Sequence, residues 1–213
     1  MSHFVALVLV PQDSVDVEGA VSALLAPYDE EITVAPYATD CYCIGVIASR
    51  AGVEAADRDV EALDDLRVRY WNFPEDERPE WRAWIADWTA TAARIEQAHP
   101  LYQKPNPQCE DCHGSGKRQT TYNPDSQWDY WTIGGRWDGW LSPSNCLKAK
   151  TAAANGSVPF AIITPDGAWH EKGRMGWWGI TSDEKADASW EAEVQSLLLT
   201  HPEALAVACD LHI

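Results

Sequence analysis

Residues 99–127 are polar, rich in Pro, Gly, Asn and Cys, and carry no hydrophobic period of their own. A connection of that length inside a compact domain is uncommon unless it is functional or something orders it. The stretch contains Cys109-Glu110-Asp111-Cys112-His113-Gly114-Ser115-Gly116. Two thiolates separated by two residues can grip one tetrahedral zinc ion, and the glycines that follow permit a tight turn beneath the sulfurs. The expectation is a single α+β domain over 1–213 in which 99–127 is a zinc-ordered insertion. One Cys-x-x-Cys is half a site. Cys146 is the nearest further thiol in sequence and His113 adjoins the motif, so the expected metal set is Cys109, Cys112, Cys146 and His113. Cys41, Cys43, His99, Cys209 and His212 are the other candidates.

The motif is similar to one repeat of the cysteine-rich zinc region of DnaJ chaperones, Cys-x-x-Cys-x-Gly-x-Gly. That region uses paired repeats and this chain has one copy, so no chaperone activity is inferred. Cys109 to His113 also spells the pattern of covalent haem attachment. Against haem, the opening apolar run Phe4–Val10 lacks a basic leader and is soon followed by Asp13, Asp16 and Glu18. It reads as a first strand, not an export signal. A reducing, cytoplasmic setting is expected, in which six cysteines serve metal binding or burial instead of disulfides.

Of 213 residues, 46% are hydrophobic, enough for a core that needs no covalent staples. Lys and Arg number 16 against 33 Asp and Glu, a formal net charge of −17. That balance argues against an unassisted grip on a nucleic-acid backbone, which is built on clustered cations. No run is long enough to span a bilayer.

Ile32–Tyr37 reads as a second strand and Cys43–Ala48 as a third. Val53, Ala56, Val60, Leu63, Leu66 and Tyr70 recur at helical spacing, as do Trp81, Trp84, Ile85, Trp88, Ala92 and Ile95, with an end by His99-Pro100. Trp128–Trp140 reads as a hairpin turning at Gly134-Gly135, and Phe160–Glu171 as a second one turning at Pro165-Asp166-Gly167. Thr181 and Glu184 stand in capping-box register before a helix bearing Trp190, Val194, Leu197 and Leu198, stopped by Pro202. Ala204–Leu211 reads as a last strand. The mixture implies a small mixed or antiparallel sheet with helices on one face.

Trp128, Trp131, Gly134, Gly135, Arg136 and Trp137 form the candidate ligand-facing segment. The two glycines allow close approach, Arg136 offers a planar fork for phosphate or carboxylate, and indoles stack on rings. Asp210 and His212 alternate onto one face of the last strand and are candidates for a metal or acid/base site. Trp169-His170-Glu171 and Lys172-Gly173-Arg174-Met175-Gly176-Trp177-Trp178-Gly179 make a second aromatic cluster. No Walker loop, nucleophile elbow or HExxH occurs.

Together, Leu25–Glu30, the single Cys-x-x-Cys-x-Gly-x-Gly, Thr121–Pro124, Trp128–Trp137, Lys172–Gly179 and the terminal Asp210-x-His212-Ile213 resemble a family of uncharacterised proteins encoded by phages and bacteria. Cys41-x-Cys43 departs from that family's pattern. The resemblance implies a phage or prophage setting and carries no activity. The leading expectation is a zinc-stabilised binding protein that sequesters a small phosphorylated or nucleotide ligand. The alternatives are a metal-dependent hydrolase of a nucleotide or phosphodiester, using Asp210, His212 and the acidic turn Asp29-Glu30-Glu31, and an acidic inhibitor of a host protein.

Overall fold

The computed structural model describes residues 2–59, 78–176 and 180–213. The chain is α+β and divides into two compact units. One comprises Met1–Val34 with Tyr122–Ile213, and Ala35–Thr121 forms the other between those two segments. The interposed part is thus wider than the 99–127 insertion expected within a single domain.

The first unit is built on a mixed six-stranded sheet. Its centre is β1 (His3–Val10), antiparallel to β10 (Leu205–His212) over the full length of both, from His3↔His212 to Val10↔Leu205. β4 (Tyr130–Ile133) and β5 (Cys146–Lys148) also pair antiparallel with β10. β6 (Ala161–Ile163) runs parallel to β1 and antiparallel to β7 (Trp169–Glu171). The β6–β7 hairpin turns where expected, with Gly167 at φ +85° and its N–H donating to the Thr164 carbonyl at 2.8 Å. A short pair, β8 (Arg174–Met175) and β9 (Thr181–Ser182), flanks residues 177–179. Trp177, Trp178 and Gly179 lie outside the described residues.

β1 is apolar on both faces because both faces are covered. Phe4, Ala6, Val8 and Val10 join Val207, Cys209, Leu211 and Trp128, with Val21 and Leu25 of α1 (Val17–Leu25). Leu7 and Leu9 face the opposite cluster, made by α4 (Ala149–Ala154) and α5 (Asp187–Thr200). There Trp190, Val194 and Leu198, spaced at i, i+4, i+8, close over Ala149 and Ala152. The expected helical layer is this pair, and α1 adds a cover on the other side. α1 begins where Asp16 accepts the Gly19 N–H at 2.9 Å. Among the described residues, the buried indoles of Trp128 and Trp190 satisfy their N–H groups on carbonyls, Trp128 on Leu25 at 3.0 Å and Trp190 on Pro159 at 2.7 Å.

Trp128–Trp140 is not the expected hairpin. After β4 the chain enters a single 3-10 turn, Gly135–Trp137, instead of returning as a strand. Gly134 and Gly135 have φ of +74° and +56°. A Cβ on Gly135 would lie 2.6 Å from Asp210, so the turn is pressed against β10.

In the second unit, β2 (Thr33–Asp40) pairs with β3 (Lys117–Tyr122). α2 (Val46–Asp59) lies against α3 (Arg78–Ala98), which ends just before His99-Pro100 as expected. A Cβ on Gly52 would stand 2.5 Å from the Ala92 carbonyl, so the absence of a side chain sets how closely the helices approach. Trp88 donates its indole N–H to Asp57 at 2.9 Å. The expected strand Cys43–Ala48 is a turn leading into α2, because Gly45 at φ +76° bends the chain and donates to the Lys104 carbonyl at 2.9 Å. Val60, Leu63, Leu66 and Tyr70 lie outside the described residues, as do the side chains of Trp81 and Trp84. No helix among the described residues is long and apolar enough to cross a membrane.

Candidate metal centre

Two turns of the second unit each present a pair of thiols. The first follows β2. The Cys41 N–H donates to the Gly116 carbonyl at 2.9 Å and the Ile44 N–H returns to the Cys41 carbonyl at 3.1 Å, closing a turn immediately before α2. The second lies in the long polar stretch. The His113 N–H donates to the Cys109 carbonyl at 2.8 Å, and the Ser115 N–H and hydroxyl both donate to the Cys112 carbonyl, at 2.9 and 2.7 Å. Gly114 and Gly116 hold φ of +81° and +75°, and a Cβ on either would press on Pro107 or Pro105 at 3.3 Å. These glycines are there for the backbone path, as the motif implied.

The turns bring Cys41, Cys43, Cys109 and Cys112 together, with all four sulfurs within 4.8 Å of one another and all four residues buried. Sγ of Cys41 lies 3.7 Å from that of Cys109, and Sγ of Cys43 lies 3.5 Å from that of Cys112. All four are free thiols. Metal–sulfur bonds of about 2.3 Å in a tetrahedron place sulfurs about 3.8 Å apart. The cluster therefore has the size of a metal tetrahedron, and four protein ligands would close its coordination shell.

Electrostatics divide the four. Burial pushes the Cys43 thiol up to about 12, and its sulfur neighbours add to the rise. Burial also acts to raise Cys112, but the backbone amides of Gly116 and Gly114 and the Cys43 thiol overcome it and bring the group down to about 7. Cys112 is the thiolate best supported by its turn. Beside the cluster, the Tyr42 hydroxyl donates to Asp111, which holds the phenol up at about 12. The Arg118 guanidinium stands over the Tyr42 ring at 5.5 Å, a cation near a centre that would carry net negative charge with a divalent ion bound.

The cysteine cluster differs from the expected metal set in its second half. Cys109 and Cys112 are present, but Cys41 and Cys43 take the places expected for Cys146 and His113. Cys146 lies on β5 of the first unit, paired through Val207, with its thiol raised by burial. His113 serves the turn itself, at φ +49°. Cys209 is core, its thiol pushed up to about 12 by burial. His99 accepts the Leu101 N–H at 3.1 Å. The signal for Cys41 and Cys43 was their x-spaced pairing after a strand, which completes the half-site arithmetic of one Cys-x-x-Cys.

The candidate ligand-facing segment lies in the first unit. Trp128 is core, and Trp131 is packed against the same cluster. The close approach that Gly134 and Gly135 permit is made by the chain's own Asn145, Asp138 and Asp210. The Arg136 N–H donates to Asp210 at 2.9 Å while the residue as a whole is exposed. Trp137 is half-buried.

Asp210 and His212 do share a face of β10, and the structure adds two partners that sequence reasoning missed. Buried Asp210 accepts from His3 Nδ1 at 2.9 Å as well as from Arg136. His212 Nδ1 is bonded to Asp129. The two imidazoles stand 4.7 Å apart between ring centres. Sequence separation hides this set, since His3 and His212 meet only through the β1–β10 register. Comparison of the chain with protein-family models, with curated proteins and with solved structures returned no match.

Proposed function

We propose that this chain is a zinc-stabilised binding protein in which Cys41, Cys43, Cys109 and Cys112 hold a structural zinc ion that orders the second unit. The convergence of four buried sulfurs at tetrahedral spacing carries this reading. Thiolate-only donor sets suit zinc, and a site filled by four protein ligands is structural, because catalytic zinc keeps one position open. The ligand-binding half of the reading rests on Arg136. Its backbone is anchored on a buried carboxylate while the residue is exposed, which leaves a planar fork for a phosphorylated small molecule.

Elemental analysis of protein purified without added metal tests the first half. One zinc per chain is expected, falling to well under half with Cys43→Ser. Folded wild-type protein free of metal overturns it. A panel of nucleotides followed by tryptophan fluorescence tests the second half. A saturable response lost in Arg136→Ala supports it, and silence across the panel, or a response indifferent to that change, removes it.

A further inference from the structure

At the His3–His212 end of the β1–β10 pair, two imidazoles lie directly opposite each other in the antiparallel register, two residues along from Asp210 on the same face. Each is oriented by a carboxylate: Asp210 faces Nδ1 of His3 at 2.9 Å, and Asp129 faces Nδ1 of His212. The carboxylates are themselves fixed. Asp210 takes the Arg136 N–H at 2.9 Å, and the Asp129 backbone N–H donates to the His212 carbonyl at 2.9 Å. A carboxylate facing Nδ1 favours the tautomer with the hydrogen on Nδ1, which leaves the lone pair on Nε2. Nε2 of His212 is buried and without a hydrogen-bond partner. A buried imidazole nitrogen left unpaired is costly unless something fills its lone pair.

We propose that His3 and His212 form a second metal site in the first unit, binding a divalent transition-metal ion through their Nε2 atoms, with Asp210 and Asp129 as positioning carboxylates. Histidine ligands characteristically donate their other ring N–H to a carboxylate, which fixes the tautomer and raises ligand basicity. Two imidazoles on one ion at about 2.0–2.1 Å per bond put their ring centres about 5 Å apart. The rings here stand at 4.7 Å and are tilted by 56°, not stacked flat. The charges favour a cation over an anion. Two neutral imidazoles and two carboxylates sum to −2, which a divalent ion neutralises, in a chain whose formal net charge is −17. Its donors are imidazoles and not thiolates, so this centre differs in kind from the thiolate cluster and stands without it.

The test uses full-length protein with its thiolate site already loaded with zinc. Further Zn2+ is added while long-range 1H–15N spectra report both nitrogens of every imidazole. One additional equivalent is expected to shift Nε2 of His3 and His212 saturably, with Nδ1 remaining protonated. Asp129→Asn is expected to weaken this binding by about 10–100-fold. His212→Gln should abolish it while zinc in the thiolate site stays at one per chain. The unmutated protein alone decides the matter if that variant misfolds. Unchanged His3 and His212 signals under excess zinc overturn the site, as does an equal drift of all six histidines. Failure of the thiolate centre would show instead as missing zinc before the titration begins.

Discussion

In the unit centred on β1 and β10, Leu7, Leu9, Ile162, Ile163, Trp190 and Leu198 are all fully buried. In Ala35–Thr121 the buried hydrophobic residues, among those described, are Ala48, Ala56, Ala92 and the four clustered cysteines. One unit buries large branched and aromatic side chains on both faces of a sheet. Among its described residues, the other buries small side chains on its two helices and gathers sulfur under its turns. Burying a leucine side chain is worth about 2 kcal/mol, and an alanine methyl much less. The proposed zinc would be held wholly by residues of the second unit, so it is expected to stabilise that unit more than the first.

Removing the metal should separate them most. Structural zinc contributes on the order of 10 kcal/mol to small metal-dependent folds. Chelation, or Cys112→Ser, is expected to abolish hydrogen-exchange protection in α2, α3 and residues 99–121 while β1 and β10 keep theirs. Mass spectrometry of the exchanged peptides reads this directly. Equal loss in both units would show that the metal supports the whole molecule, and no loss would show that the thiols are simply buried.

The converse change is Leu9→Ala. Leu9 is fully buried against the α4–α5 layer, and truncation there should cost about 2–5 kcal/mol through lost transfer energy and a residual cavity. Denaturant melting followed on the first unit measures the cost. Metal content should be unchanged. A loss of zinc with Leu9→Ala would break the comparison.

These differences also mark what could be read before the structure. β1, β10, the β6–β7 hairpin and α3 were legible because local pattern decides them: a solid apolar run, a Pro-Asp-Gly turn, a helical stripe ended by His99-Pro100. The Trp128–Trp140 segment was misread because its glycines signal a turn without saying what the turn meets, and what it meets is Asp210, far away in sequence. Half of the cysteine site was legible for the same reason. Cys109 and Cys112 are positioned by their own turn, whereas their partners Cys41 and Cys43 arrive through the fold. His3 and Asp129 were invisible because only strand register places them beside Asp210 and His212.

Gly52→Val probes the helix pair at smaller scale. Its added atoms would meet the Ala92 carbonyl, which is backbone and cannot swing aside. Separating α2 from α3 is expected to cost about 1–3 kcal/mol, typical of overpacking. Because α2 begins just after Cys43, the change should also weaken metal retention against a chelator. Full retention would mean that the thiol turns hold together independently of the helices they adjoin.

The smallest effect expected is electrostatic and confined to the first unit. Glu203 is bonded to Lys148 at 2.6 Å and Lys150 at 2.5 Å, and these ammonium groups, Lys148 first, hold its carboxyl down at about 2. A folded value below the unfolded one means that the pairing stabilises the native state fully above the ordinary carboxylate range and is lost as pH falls toward 2. The three side chains are about half exposed, so water and salt screen most of the gain. Glu203→Gln is therefore expected to flatten slightly the acid dependence of first-unit melting between about pH 4.5 and pH 2. It should leave the pH of metal release alone, because that release follows reprotonation of thiolates in the other unit. A shift of metal release with Glu203→Gln would show that acid unfolding of one unit drives that of the other.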